Sequence, residues 1–151
     1  MPPFEPQDPD FEARVRASFA RQQVMTTLGA TLTRVAPGEV EIQLPFRPDL
    51  TQQHGFLHAG IVTTIVDSAC GYAAFSLMPA GVGVLTVEYK VNLLAPALGQ
   101  VFTARGRVLK PGRTITVCMG EVVAAHNGRQ QPVATMLATM MTVRDRPNVV
   151  G

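Results

Sequence analysis

The stretch that decides the fold runs from residue 58 to residue 78: His58-Ala59-Gly60-Ile61-Val62-Thr63-Thr64-Ile65-Val66-Asp67-Ser68-Ala69-Cys70-Gly71-Tyr72-Ala73-Ala74-Phe75-Ser76-Leu77-Met78. Apolar and small residues occupy every side of its helical wheel, and a helix without a polar face has to be surrounded by protein. Pro79 and Gly81 stop it. Asp67, several Thr and Ser and two glycines interrupt the run, which argues against a membrane span of about 20 residues.

Outward from this helix the period of the hydrophobic pattern changes to two. Upstream, Val40, Ile42, Leu44 and Phe46 alternate with Glu39, Glu41 and Gln43, and Pro37-Gly38 supplies a hairpin turn. Downstream, four strand-like runs cover about Gly83 to Leu94, Gln100 to Leu109, Thr114 to Ala125 and Pro132 to Val143. Ala95 to Gly99, Pro111-Gly112 and His126-Asn127-Gly128 separate them, which reads as an antiparallel meander. Val87, Tyr89, Val91 and Leu93 oppose Thr86, Glu88, Lys90 and Asn92, the alternation of a sheet with one wet face. Only a sheet that curls round it can enclose a single all-apolar helix. The order predicts an α+β fold, an antiparallel sheet of five to six strands wrapped on a central buried helix. Phe11 to Leu28, with Phe11, Val15, Phe19, Val24 and Leu28 as its stripe and Asp10 as N-cap, predicts a peripheral amphipathic helix. The domain division is a flexible leader over 1–10, one domain over 11–145 and a flexible tail over 146–151.

At 151 residues and 46% hydrophobic content the chain has material for one sizeable core. Only 16% of residues are charged, below the roughly 25% of an average domain, so oligomerisation is expected to cover part of the surface. The net charge is +2 with no run of Lys or Arg, so nucleic acid is not an expected partner. The Pro-rich, acidic start does not read as a signal peptide, and Cys70 and Cys118 sit in apolar runs as reduced core residues. A cytoplasmic protein without a membrane partner is expected. Three histidines and two scattered cysteines give a metal site little to work with.

Between Leu50 and Val87, Asp67 is the sole Asp, Glu, Lys or Arg. A buried, unpaired carboxylate costs several kcal/mol, so it needs a partner, a cavity or a job. Thr63 and Thr64, one turn away, could satisfy it structurally. The approach Gln52-Gln53-His54-Gly55-Phe56-Leu57-His58-Ala59-Gly60 leads to a helix N-terminus, whose unpaired N–H groups can hold a carbonyl oxygen that becomes negative. Ala59 and Asp67 are eight residues apart, about 12 Å along one helix, too far to grip one small group. Two chains packed across a twofold axis would bring one chain's Asp67 to the other's helix start.

The stretch Gln52 to Asp67, with His58-Ala59-Gly60 followed seven residues on by Asp67, resembles the signature of PaaI-like hotdog thioesterases. Those enzymes carry a His-Gly-Gly at the start of the central helix and an acid two turns in. The resemblance continues through Thr86 to Asn92, Ala95-Pro96 and Lys110-Pro111-Gly112-Arg113-Thr114. It implies the hotdog fold and hydrolysis of an acyl-CoA to free acid and coenzyme A. It further implies that Asp67 activates water or attacks the thioester, that the Ala59 N–H faces the thioester oxygen, and that Gln52 positions water or carbonyl. Thr86 matches a Ser or Thr opposite the acid, and His58 matches the motif His as organiser of the loop. Gly60 completes the motif on the substrate side. Many relatives have a Ser or Thr one turn after the acid; this chain has Gly71. No cofactor is implied beyond the coenzyme A of the substrate, and a homodimer or dimer of dimers is.

Arg105, Arg107, Lys110 and Arg113 surround the Pro111-Gly112 turn. Lys110 and Arg113 are candidates to hold coenzyme A phosphates; the structural alternative is a charged, solvated strand edge. Phe56, Phe75, Met78, Met136, Met140 and Met141 could line an acyl pocket or be plain core. Two rivals remain. A hotdog dehydratase or hydratase would pair His54 with Asp67, and an acyl-CoA-binding module would keep Asp67 only as a satisfied core residue.

Overall fold

The computed structural model describes residues 4–151. The chain begins with two short helices, α1 (Phe11–Arg21) and α2 (Gln23–Leu28). A hairpin follows, β1 (Thr31–Ala36) and β2 (Glu39–Pro45), and then the long helix α3 (Ala59–Phe75). Four strands complete it: β3 (Gly83–Leu93), β4 (Val101–Lys110), β5 (Ile115–His126) and β6 (Arg129–Val143). All six strands form one antiparallel sheet wrapped on α3, in the order β1-β2-β4-β5-β6-β3.

The strands lie where the period-two pattern predicts, but the downstream four are not a simple meander. β4, β5 and β6 are consecutive neighbours, whereas β3 crosses to the far edge and pairs with β6, Gly83 opposite Val143. The connection across the sheet frees β2 to pair with β4, Ile42 opposite Ala104. Local alternation fixes which residues share a face and leaves open which strand lies beside which.

The sheet side of α3, with Val62, Ile65, Val66, Ala69, Cys70 and Ala73, is fully buried. Two glycines let it approach closely. Gly106 and Gly120 face each other across β4 and β5. A Cβ on Gly106 would stand 2.3 Å from the Ala69 backbone, and one on Gly120 would stand 2.5 Å from Val66. Across α3 from the sheet, α1 packs Phe19 edge-on to Tyr72, ring centroids 5.9 Å apart. One stripe of the helix stays half-exposed: Thr63, Thr64, Asp67 and Gly71.

Three further expectations, on the helix over 11–28, its N-cap and the end of α3, meet corrections. The predicted helix over 11–28 breaks at Gln22, which takes an extended ψ of 97°. The break shifts the phase of the stripe, so Met25 is buried in place of Val24, which is 44% exposed. Asp10 is the N-cap residue of α1 but makes no side-chain capping bond. Helix α3 ends one turn before Met78, and the Arg14 guanidinium donates to the carbonyls of Phe75, Met78 and Pro79 at its end. The leader, of which residues 1–3 lie outside the described residues, is docked from residue 4: Phe4 packs on the core, Gln7 donates to the Leu77 carbonyl and Asp8 pairs with Arg14. The tail over 146–151 likewise lies back on the domain, the Gly151 N–H donating to the Val82 carbonyl.

β3 departs most from its predicted character. As the edge strand it has a single neighbour, and Leu85, Val87, Tyr89 and Leu93 are each about half exposed. No helix of the described chain is long and apolar enough to cross a membrane.

Candidate active site

Asp67 sits in the middle of α3 on the half-exposed stripe, and the Thr86 hydroxyl from β3 donates to its Oδ1 at 2.8 Å. Thr63 and Thr64 do not satisfy it; each donates back to a carbonyl one turn earlier, Ala59 and Gly60. Burial pushes the Asp67 carboxyl above its ordinary range, and the Thr86 bond, which favours the charged form, pulls partly the other way. The carboxylate opens on a cavity of about 290 Å³ lined also by Thr86, Gly71, Ser18, Gln22, Tyr72 and residues 148–151.

The start of α3 is built by the preceding loop. The His58 Nδ1 accepts from the Gly60 N–H at 2.8 Å, so a neutral His58 ring carries its proton on Nε2 and caps the helix. A Cβ on Gly60 would come 3.1 Å from that nitrogen, so a small residue keeps the cap intact. Because the Gly60 amide is engaged, it is not a free donor for substrate. Ala59 is the first helical residue, its N–H has no carbonyl a turn behind it, and no acceptor among the described residues reaches it. Gln52 shapes the loop as well: its Oε1 accepts from the His54 and Phe56 N–H groups at 2.6 and 3.3 Å, which leaves its amide nitrogen as a donor. Gln52, Phe56 and Ala59 line a second, largely apolar groove of about 460 Å³ with Leu93, Leu94 and Pro96.

The predicted residues therefore fall into two groups within one chain, Asp67 with Thr86 and Ala59 with Gln52, His58 and Gly60. Their separation is the helical rise between positions 59 and 67, about 12 Å. His54 belongs to neither cavity; it is exposed and its ring lies 3.4 Å from the Gln53 amide. Arg113 lines a third cavity, about 340 Å³, with Thr116, Thr142 and Arg144, and Lys110 is exposed on β4. Arg105 is paired with Glu41 at 2.8 Å. Of the suggested pocket residues, Phe75, Met78, Met136 and Met140 are buried core, Met141 is on the outer surface, and Phe56 alone lines the groove beside Ala59. Cys70 and Cys118 are buried free thiols, Cys118 pushed up to about 12 by burial, which makes them poor nucleophiles. Among the described residues no three His, Cys, Asp or Glu side chains converge as metal ligands.

Sequence reasoning missed the polar wall of the Asp67 cavity. Ser68 donates to Gln22 Oε1 at 3.0 Å, the Gln22 amide lies 3.5 Å from the Tyr72 hydroxyl, and Ser18 lies 3.2 Å from that hydroxyl. No local signal marks Ser18 or Gln22, since their partners lie some fifty positions away and only the break at Gln22 turns the side chain inward.

A sheet wrapped on a helix that carries one perturbed acid and one unpaired N-terminal amide is the architecture of a hotdog enzyme acting on an acyl carbonyl. A model of the thioesterase superfamily matches residues 54–131, just over half of the 151-residue chain. The crystal structure of a thioesterase family protein from Silicibacter pomeroyi is 53% identical. It superposes with a TM-score of 0.87, covering 93% of this chain and 99% of that one. Human acyl-coenzyme A thioesterase 13 is 31% identical over 86 residues, 56% of this chain and 61% of that protein. The PaaI protein of E. coli, from the phenylacetic acid degradation operon, shares the fold at 19% identity, with a TM-score of 0.80 over 89% of this chain and 94% of that one. The chain belongs to the thioesterase superfamily and is a thioester hydrolase.

Proposed function

We propose that this enzyme hydrolyses acyl-CoA thioesters at a site shared by two protomers, with Asp67 of one activating water and the Ala59 N–H of its partner polarising the carbonyl. The observation that carries the reading is Asp67 itself, a half-buried carboxylate with raised proton affinity, held by one hydroxyl and open to a cavity. A carboxylate with raised proton affinity is a better base at neutral pH than an ordinary one. Water gives a proton to Asp67 as its oxygen bonds to the thioester carbon. The carbonyl electron pair moves onto oxygen, where the Ala59 amide and the Gln52 side-chain nitrogen stabilise it. Collapse breaks the C–S bond, and the leaving thiolate recovers the proton from Asp67. No cofactor takes part, because coenzyme A belongs to the substrate.

The shared site is supported by what a single chain leaves uncovered. β3 is an unpaired edge of eleven residues with apolar side chains on display, and the half-exposed stripe of α3 runs through Asp67. Such an edge normally meets a second strand. Pairing two copies of β3 about a twofold axis gives a homodimer and covers both. The outer patch of Leu85, Met141 and Ile115, adjacent in register across β3, β6 and β5, supplies a further surface for a dimer of dimers. Lys110 and Arg113 would hold coenzyme A phosphates at the surface. Two free thiols suit a reducing cytoplasm.

The test is release of coenzyme A from a panel of acyl-CoAs, followed with a thiol-reactive dye. Asp67→Asn should lower kcat by about 10²–10⁴-fold while leaving substrate binding intact. Binding without thiol release in the native enzyme would sink the proposal, and hydration or dehydration of the acyl chain that is lost in His54→Ala would favour a dehydratase.

A further inference from the structure

We infer that residues Arg146 to Gly151 form a strap that closes the Asp67 cavity and restricts the enzyme to short acyl groups. The inference rests on the thioesterase reading above and adds the substrate class. After β6 the chain turns at Asp145, which takes a positive φ of 57°, and runs back across the start of β3. The Val149 N–H donates to the Arg146 carbonyl at 2.9 Å, making a tight turn. The strap lies so close to Gly83 that a Cβ there would stand 2.3 Å from the Val149 carbonyl oxygen. Gly151 is clamped twice: its N–H donates to the Val82 carbonyl at 3.2 Å and its carbonyl accepts from Arg21 at 2.6 Å.

The other walls are fixed. Ser18 and Gln22 come from the α1 region, Ser68 and Tyr72 from α3, and hydrogen bonds join them into one polar surface. Val84 and Thr86 belong to the sheet. Asn148 to Gly151 are the only lining residues beyond the last strand, held by a close main-chain approach and two hydrogen bonds. With the strap in place the cavity measures about 290 Å³, at the small end of the roughly 300–1,000 Å³ of ligand pockets. Asp67 and the strap line the same small cavity, so an acyl chain that enters it from a thioester at Asp67 is bounded by the strap. Gly71, on the same cavity, has nothing within 4 Å of where its Cβ would stand, so a side chain there would occupy the acyl space itself.

The experiment measures kcat/KM of the full chain on acetyl-, butanoyl-, hexanoyl-, decanoyl- and palmitoyl-CoA, then repeats it on three single variants. The native enzyme should prefer the short substrates. Gly83→Ala, whose methyl displaces the strap, and Arg21→Ala, which frees it from outside the cavity, should each raise the decanoyl-to-butanoyl ratio by about tenfold or more. Gly71→Leu should lower the hexanoyl-to-butanoyl ratio. Should Gly83→Ala fail to fold, Arg21→Ala carries the test alone. A native preference for palmitoyl-CoA, or an unchanged length profile in a folded strap variant, overturns the strap and leaves the thioesterase reading standing. No thiol release from any substrate overturns both.

Discussion

Because Asp67 is half-buried, the folded chain holds its proton more tightly than the unfolded chain does. The sign follows from linkage: stability is full below the unfolded carboxylate value of about 3.9 and is lost as pH rises through the higher folded value. Asp67→Asn should therefore melt at a higher temperature than the native enzyme at neutral pH, an advantage that disappears in acid, as calorimetry at several pH values would reveal. The proposed mechanism uses the ionised form, so log kcat/KM should rise with pH to a plateau whose midpoint lies above the ordinary carboxylate range. Thr86→Val removes the bond that favours the charged form and should move that midpoint further toward alkaline pH. Ala59 allows a sharper test. Proline is tolerated at the first helical position, and His58 before it already has an extended ψ of 138°, the conformation a following proline demands. Ala59→Pro should fold normally, lose the N–H, and lower kcat by about 10²–10³-fold. The placement of both candidates was legible in the sequence: Asp67 is a lone charge in an apolar run, and Ala59 lies at the end of a Gly-bearing approach to a helix. The engagement of the Gly60 amide was not, because it depends on a ring rotamer of His58.

At the level of elements, the placement of α3 depends on contacts made by residues remote from the chemistry. Arg14 closes its C-terminal end with three carbonyl bonds and stacks on Phe75, its guanidinium carbon 4.4 Å from the ring centroid. Arg14→Ala leaves those carbonyls without partners and should cost about 3 kcal/mol in urea unfolding, with lysine a poor substitute for the fork. On the sheet side, Gly106→Val would push a branched side chain into the Ala69 backbone and should cost about 3 kcal/mol or abolish folding. The hairpin, the buried helix and the positions of all six strands could be read from periodicity and turn residues, since these are local properties. The close approach at Gly106 and Gly120 could not, because glycine in a strand carries no mark of what it faces. The phase shift at Gln22 also escaped, as a single extended residue leaves no compositional trace.

For the molecule as a whole, the proposed shared site makes a prediction that no single-chain site can imitate. Asp67→Asn and Ala59→Pro subunits, each nearly inactive alone, should regain activity when refolded together. Half of the dimers would be mixed and would carry one intact site of two, so about a quarter of the native activity should return. No recovery, in mixtures proved to exchange by mass spectrometry, would place both groups of a working site in one chain. The low charge content raised the expectation of an oligomer without pointing to a surface, and the edge position of β3 was not legible, because alternation along β3 is the same whether the strand lies between neighbours or at a margin. That marginal position also bears on biosynthesis. A strand that waits for β6 emerges from the ribosome long before its only intramolecular neighbour, with its backbone hydrogen-bonding groups unpaired until then. Thr86 gains its fixed place against Asp67 only when β6 pairs with β3, so the candidate site is among the last parts of the chain to be assembled as translation proceeds.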